Sequence, residues 1–218
     1  MPSALITGAN RGIGLEFARQ YSKEGWDVIA TARQSSPELD KLNVRIELLD
    51  LSDADAVALF PSKVETPLDL FIANAGTNHP MDPDGPGNAR DWQGMMMVNA
   101  IAPYQLGKAL LARMADGGKM VAISSGLGSI AENSGGWLPY RTSKAALNMA
   151  WTTLALEAKP LGVAIALFSP GWVKTRMGGS GAEITSEESV TGMRALIDRL
   201  TIRDTGKFLR RNGSEIPW

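Results

Sequence analysis

Short apolar runs alternate along the chain with stretches of helical period. The runs Ala4–Thr7, Asp27–Thr31, Val44–Leu49, Leu68–Ala73, Lys119–Ser124 and Val163–Phe168 predict strands, and Lys207–Leu209 a short last one. Helices are predicted over Ile13–Glu24, Asp53–Phe60 with Ser52 as N-cap, Asn88–Met114 interrupted by Pro103, Pro139–Lys159 and Glu187–Leu200. Strands that alternate with helices imply β-α-β units. The expected fold class is α/β, a single-domain doubly wound parallel sheet with right-handed crossovers and helices on both faces. Leu68–Ala73 and Val163–Phe168 are nearly all apolar, as suits strands covered on both sides. Pro80–Gly87 and Met177–Glu183 read as loops over the carboxyl edge of the sheet, the second a lid.

Composition narrows the class. The 218 residues fit one domain spanning 1–218. With 44% hydrophobic and 21% charged residues the chain is neither disordered nor fibrous. The formal net charge of -1 argues against a nucleic-acid binder working through a basic field. No cysteine is present, so disulfides, thiolate nucleophiles and Cys-based metal sites are excluded. The single histidine, His79, makes a multi-His metal site or a Ser-His-Asp hydrolase a poor reading. No metal is expected. The N-terminus lacks a basic region and a long apolar run, and no stretch reaches ~18 apolar residues. The expectation is a cytoplasmic protein without membrane contact.

The first strand runs into Thr7-Gly8-Ala9-Asn10-Arg11-Gly12-Ile13-Gly14. Gly8 permits a tight turn, Gly12 lets a phosphate approach the backbone, and Gly14 lets the helix lie close to the sheet. The helix N-terminus offers free N–H groups to a pyrophosphate. A Rossmann-like dinucleotide site is expected here. The second strand ends Ile29-Ala30-Thr31-Ala32-Arg33, with no carboxylate for a ribose 2′-OH. Arg33 and Arg11 suit a 2′-phosphate, so NADP(H) is favoured over NAD(H). The alternative is that both are solvated surface arginines.

Tyr140 and Lys144 stand at i and i+4 on one predicted helix face. An ammonium beside a phenol lowers the phenol pKa from about 10, giving an acid/base group. A Tyr stacked over a Lys stem is the plainer alternative.

Taken in chain order, these residues resemble the short-chain dehydrogenase/reductase family. The motifs are T-G-x-x-x-G-x-G at 7–14, N-A-G at 74–76, Asn99, Ser124-Ser125, Y-x-x-x-K at 140–144 and P-G-x-V-x-T at 170–175. The stretches 140–149 and 170–179 and the ending Ile216-Pro217-Trp218 are similar to C-factor-like proteins and sniffer-type carbonyl reductases. The resemblance implies NADP(H)-dependent hydride transfer between a carbonyl and an alcohol. Tyr140 would give the proton and Lys144 would lower its pKa and bond the nicotinamide ribose. Ser125, rather than Ser124, would orient the carbonyl. Asn99 would hold a relay water. Pro103, four residues on, lacks an N–H and so frees the Asn99 carbonyl for that bond. The cofactor would be held by Gly8, Asn10, Arg11, Gly12, Ile13, Gly14 and Arg33. Asp50 and Leu51 would meet the adenine, and Asn74, Ala75 and Gly76 the adenosine ribose. Pro170, Gly171, Val173 and Thr175 would hold the nicotinamide end. Where relatives often have N-N-A-G, Ala73 replaces the first Asn.

The expected substrate is a small-molecule carbonyl or alcohol, in a pocket built by 77–88, 126–138 and 172–186. His79, Trp137 and Trp172 are candidates to line it or are ordinary loop and packing residues. Met95-Met96-Met97 reads as a helix face on the sheet, and Glu187-Glu188 as charge at a helix N-terminus. Self-association is implied through the Tyr140 helix and the next one. A homodimer is expected, with a homotetramer as the alternative. A dinucleotide-binding signalling or sensor protein with little turnover is the second function class. A hydrolase ranks third, since no base partner for a serine is visible.

Overall fold

The computed structural model describes residues 1–78 and 88–218. His79 and the predicted loop Pro80–Gly87 lie outside the described residues. Seven strands among these residues form one sheet: β1 (Ser3–Thr7), β2 (Asp27–Ala32), β3 (Arg45–Leu48), β4 (Leu68–Ala73), β5 (Met114–Ile123), β6 (Ala164–Ser169) and β7 (Lys207–Arg210). Their order is β3-β2-β1-β4-β5-β6-β7, and every neighbouring pair is parallel. The helices are α1 (Gly12–Lys23), α2 (Ala54–Leu59), α3 (Ala89–Met96), α4 (Ala102–Leu110), α5 (Leu138–Ala158) and α6 (Ser186–Arg199). This is the doubly wound parallel sheet expected from the alternating pattern.

Side chains of successive strand residues point to opposite faces, so one continuous apolar run feeds two cores. On β4, Phe71 and Ala73 join a core with α2, α4 and α5, including Leu106, Leu110, Leu147, Trp151 and Leu154. Leu70 and Ile72 join the other, with Phe17, Ala18 and Tyr21 of α1 and Val190, Met193 and Ile197 of α6. The same split divides Met120 and Ala122 from Val121 and Ile123 on β5. Burying each such large side chain contributes about 1.5–3 kcal/mol.

Three local expectations are corrected. The α2 cap is Asp53, not Ser52. Asp53 is the last extended residue, and its carboxylate accepts from the N–H groups of Asp55 and Ala56, each at 3.0 Å. The predicted helix Asn88–Met114 is broken. Asn88 caps α3, a π-turn spans Met97–Ile101, and α4 ends in a 3₁₀ turn at Leu111–Arg113. Pro103 cannot donate to Asn99, and the wider turn just before it, with Ala102 N–H on the Met97 carbonyl, accommodates the proline without ending the helix path. Met114, predicted as helix, opens β5. It pairs with Leu68, while Lys119 pairs with Leu70, so residues 115–118 bulge from the ladder.

The chain proceeds from β1 through β2 to β3, then crosses to β4 on the other side of β1. The carboxyl ends of β1 and β4 therefore flank the switch point, where open α/β sheets bind ligands. No helix among the described residues is long and apolar enough to cross a membrane.

Candidate active site

At the switch point the ends of β1 and β4 are stitched together. Thr7 Oγ1 accepts from the N–H groups of Asn74 and Ala75, each at 3.1 Å. The Asn74 side-chain amide donates to the carbonyls of Thr7 (2.9 Å) and Gly8 (3.2 Å). Gly8 has φ +68, and a Cβ there would lie 2.8 Å from Ala75 Cα. A Cβ at Gly14 would lie 2.3 Å from the Gly8 carbonyl oxygen, so both glycines are required by contact. Asn10 ties the turn to the end of β2 by donating to the Gln34 carbonyl at 3.0 Å. Ile13 packs, partly buried, against the α1-side core. No side chain caps the first turn of α1, which leaves its N–H groups to an anion. Thr175 sits over the turn, its Cγ2 lying 3.1 Å from where a Cβ on Gly12 would be.

Arg11 and Arg33 are exposed beside this turn, and Arg176 joins them. Desolvation, then the charges of Arg176 and Arg33, push the Arg11 pKa down. Among the described residues none of the three forms a salt bridge. Arg11, with Arg33 and Arg176 near enough to repel it, forms a cationic cluster that suits a polyanionic ligand. Arg176 was missed in the sequence because it carries no motif; only the fold of the 170–184 segment brings it here. The Asp50 carboxyl is pushed up by partial burial. The Ser52 N–H and hydroxyl, at 2.9 and 2.7 Å, and the nearby Arg33 outweigh this and leave it below its ordinary value. The Leu51 side chain is core, so only its main chain is open to a ligand.

Past β5, the two serines part. Ser124 is buried and its hydroxyl bonds the Asn148 side chain at 2.6 Å. The Ser125 hydroxyl instead accepts from Leu127 N–H at 3.2 Å and stands near enough to the Tyr140 phenol to favour its ionised form. Lys144 is 3% exposed, donates to the Ile123 carbonyl at 2.9 Å, and lies 5.8 Å from the Tyr140 ring centroid. The expected pull of Lys144 on the phenol does not govern the structure. Burial pushes Tyr140 up to about 12, with the nearby Ser125 opposing it, and burial pushes Lys144 down to about 8. Desolvation disfavours each charged form, and this outweighs any attraction between them.

Asn99, in the π-turn, is fully buried. Its amide donates to the Thr77 carbonyl (2.8 Å) and to Ser143 Oγ (2.9 Å), and its oxygen accepts from Thr77 N–H (2.8 Å). Ser143 in turn donates to the Tyr140 carbonyl at 2.8 Å. Ser143 was not singled out in the sequence, although it lies three residues from Tyr140 on the same helix. Gly76 closes the group. A Cβ there would lie 3.4 Å from Asn99 Oδ1 and 3.5 Å from Lys144 Nζ.

The P-G-x-V-x-T segment is anchored on α6. The Pro170 carbonyl accepts from Ser189 Oγ at 2.7 Å, Gly171 has φ +83, and Val173 is buried and bridges to Ile184. Thr175 Oγ1 accepts from Gly178 N–H at 3.1 Å, and Trp172 Nε1 donates to the Gly178 carbonyl at 2.8 Å. The predicted lid thus folds back over Trp172. Glu188 forms a capping box with Thr185 on α6. The Ile216-Pro217-Trp218 end packs on the domain, with Ile216 buried and Trp218 stacked on Phe208.

The glycine turn, the uncapped helix start, the exposed arginines and the glycine at 76 beside Lys144 fit a dinucleotide. They define the class as a dinucleotide-binding α/β protein. The family profile of the short chain dehydrogenases matches residues 2–184. The C-signal protein of Myxococcus xanthus is 36% identical over 155 residues, covering 70% of this chain and 93% of that relative. A short-chain dehydrogenase/reductase from Burkholderia multivorans, solved with bound NADP, has TM-score 0.90 and 32% identity over 100% of this chain and 99% of that one. The carbonyl reductase Sniffer of D. melanogaster has TM-score 0.92 and 29% identity, with 100% of each chain covered. The chain belongs to the short-chain dehydrogenase family, and is an oxidoreductase of that family.

Proposed function

We propose that the chain is an NADP(H)-dependent reductase of small-molecule ketones or aldehydes, interconverting carbonyl and alcohol. The meeting of Ser125, Tyr140 and Lys144 beside Gly76 carries this reading. When bound, the nicotinamide supplies or accepts the hydride. Tyr140 holds the proton meant for the substrate oxygen, and its raised pKa keeps it protonated at neutral pH. The Ser125 hydroxyl orients that oxygen and balances the charge developing on it. Lys144, still an ammonium at pH 7, favours the phenolate that Tyr140 becomes. Asn99 braces Thr77, and Asn74, Ala75 and Gly76 border the nucleotide. Gly8, Gly12 and Gly14 with the start of α1 receive the pyrophosphate. Arg11, Arg33 and Arg176 receive the 2′-phosphate, and Thr175 closes over the turn.

The test is a parallel titration with NADPH and NADH followed by tryptophan quenching, then NADPH consumption with a panel of aromatic aldehydes and vicinal diketones. Tighter NADPH binding and turnover abolished by Tyr140→Phe are expected. Tighter NADH binding overturns the arginine argument. A second reading, nucleotide binding with little turnover in a signalling role, draws support from the likeness to the protein named C-signal. Tight binding with no turnover of any carbonyl would favour it.

A further inference from the structure

We propose that Arg141 is a positioning residue for the substrate side of the site, holding the chain between Ser125 and Tyr140 in one shape. The proposal rests on the reductase reading for its kinetic consequence only. Arg141 is 8% exposed, yet no carboxylate pairs with it among the described residues. A buried charge without a counter-ion costs several kcal/mol unless its donors are met by acceptors. Here the acceptors all belong to one segment. Nε donates to the Gly136 carbonyl (2.9 Å), Nη2 to Ser134 Oγ (2.9 Å) and Nη1, at longer range, to the Leu127 carbonyl (3.5 Å). The planar guanidinium fork has fixed donor directions, so these three bonds set the two ends of the segment relative to each other.

The rest of the segment shows why this hold is needed. Residues 130–136 are exposed, so no core shapes them. The outer half is tied elsewhere. Ser129 Oγ donates to the Pro217 carbonyl at 2.6 Å, Ala131 N–H to the Trp218 carbonyl at 2.9 Å, and Glu132 pairs with Arg210 at 2.5 Å. The inner half, 133–137, has a local Asn133–Gly135 turn bond and Arg141. It ends at Trp137, the sole non-glycine residue with positive φ (53) among those described. That left-handed conformation is unfavourable for a residue with a Cβ, and the surroundings must impose it. The helix bond from Arg141 N–H to the Trp137 carbonyl (2.9 Å) and the guanidinium bond to Gly136 act on its two sides.

Arg141 also begins a stripe on α5. Lys144 bonds the Ile123 carbonyl (2.9 Å) and Asn148 the Gly128 carbonyl (3.2 Å). At spacings of i, i+3 and i+7 these three side chains face one way. They grip the backbone on both sides of Ser125. Because the gripped chain leaves one reacting group and returns to another, its shape sets the space a substrate enters, and it leaves the nucleotide turn alone.

The experiment compares the full-length wild type with Arg141→Ala, Arg141→Lys and Ser134→Ala. Amide exchange is read by mass spectrometry, nucleotide affinity by NADPH quenching, and kinetics with 4-nitrobenzaldehyde. Arg141→Ala is expected to speed exchange in peptides covering 128–137 by about tenfold, with residues 7–15 unchanged. KM is expected to rise about tenfold, with kcat and NADPH affinity within about threefold of wild type. Ser134→Ala removes one acceptor without unburying the arginine, and should give a smaller change in the same direction. Arg141→Lys restores at most part, and added guanidinium ion partly rescues Arg141→Ala. Unchanged exchange in 128–137 overturns the proposal whatever the kinetics. So does a uniform loss in which melting temperature, NADPH affinity and kcat all fall while KM rises. If Arg141→Ala does not fold, Ser134→Ala carries the same decision. If the wild type reduces no carbonyl, the reductase reading fails, and the exchange data alone uphold or overturn the hold of Arg141 on the segment.

Discussion

Asn99 and Thr77 face each other as two strands of a ladder would. The Asn99 side-chain amide gives and takes one 2.8 Å hydrogen bond with each side of the Thr77 backbone. A side chain from the π-turn thereby pairs with the chain leaving β4, next to Gly76 and Lys144. Its third bond, to Ser143, continues to the Tyr140 backbone. Asn99 therefore joins the nucleotide edge to the Tyr140 helix through its side chain, whereas the sequence pointed to its main-chain carbonyl. Asn99→Ala should lower stability by about 2–4 kcal/mol, since it removes the three hydrogen bonds of a fully buried amide. Urea unfolding measures this; a loss under about 0.5 kcal/mol would mean that Thr77 finds other partners.

Gly76→Ala separates folding from binding. The added methyl meets its neighbours at 3.4–3.5 Å, ordinary contact, and the position has no positive φ. The variant should fold with its melting temperature nearly unchanged. It should bind NADPH at least about tenfold more weakly, because the methyl fills the space before Lys144. Wild-type affinity in a folded Gly76→Ala protein would place the nucleotide elsewhere.

Arg176→Ala tests the guanidinium cluster. Loss of one charge-assisted phosphate contact costs about 1–2 kcal/mol, so the NADPH Kd should rise about tenfold while that for NADH changes little. The NADPH Kd of the wild type should also climb with salt more steeply than that for NADH. Equal weakening of both nucleotides would assign Arg176 to the shared pyrophosphate instead.

The acid/base pair makes two pH predictions. Activity in the reduction direction should fall as pH rises through about 8, where Lys144 loses its proton, while Tyr140 stays protonated to about 12. A flat kcat/KM profile from pH 7 to 10 would remove the Lys144 ammonium from the mechanism. Stability follows the same groups. Between pH 8 and 10.5 the unfolded chain still holds the lysine proton that the folded chain has released, so Lys144 makes stability rise with pH. Tyr140 acts oppositely from 10 to 12, where only the folded chain keeps the phenol proton. Lys144→Met should thus be more stable than wild type by about 2 kcal/mol at pH 7, the desolvation cost less one hydrogen bond. That gain should vanish by pH 10.5 in chemical denaturation.

The homodimer that the resemblance implies would use the outer face of α5, where Met149 and Leu156 are 70% and 74% exposed. Light scattering should give twice the chain mass, and Leu156→Asp should give the single chain with its fold intact. A single-chain mass for the wild type across a wide concentration range would dispose of the dimer.

Much of this protein could be read from the order of its residues. Strand-length apolar runs and helical periods are local signals, so the alternating β and α elements and the two-sided sheet followed from them. The glycine turn, Tyr140 and Lys144 sit on short motifs whose spacing is set by one turn or one helix. Other features arise only when distant segments meet. Ser52 and Asp53 are both good caps, and only the backbone turn at Ala54 chose between them. Ser124 and Ser125 are alike in sequence, and it is the extended backbone just past β5, with successive side chains on opposite sides, that sends one to Asn148 and the other toward Tyr140. The phenol shift runs opposite to the expected one because charge proximity is visible in an i, i+4 spacing, whereas the burial that outweighs it is contributed by the whole fold. Arg176 stayed hidden because Arg11 reaches it only once the sheet has formed, and Arg141 because the irregular loop before it, which holds its acceptors, carries no periodic signal.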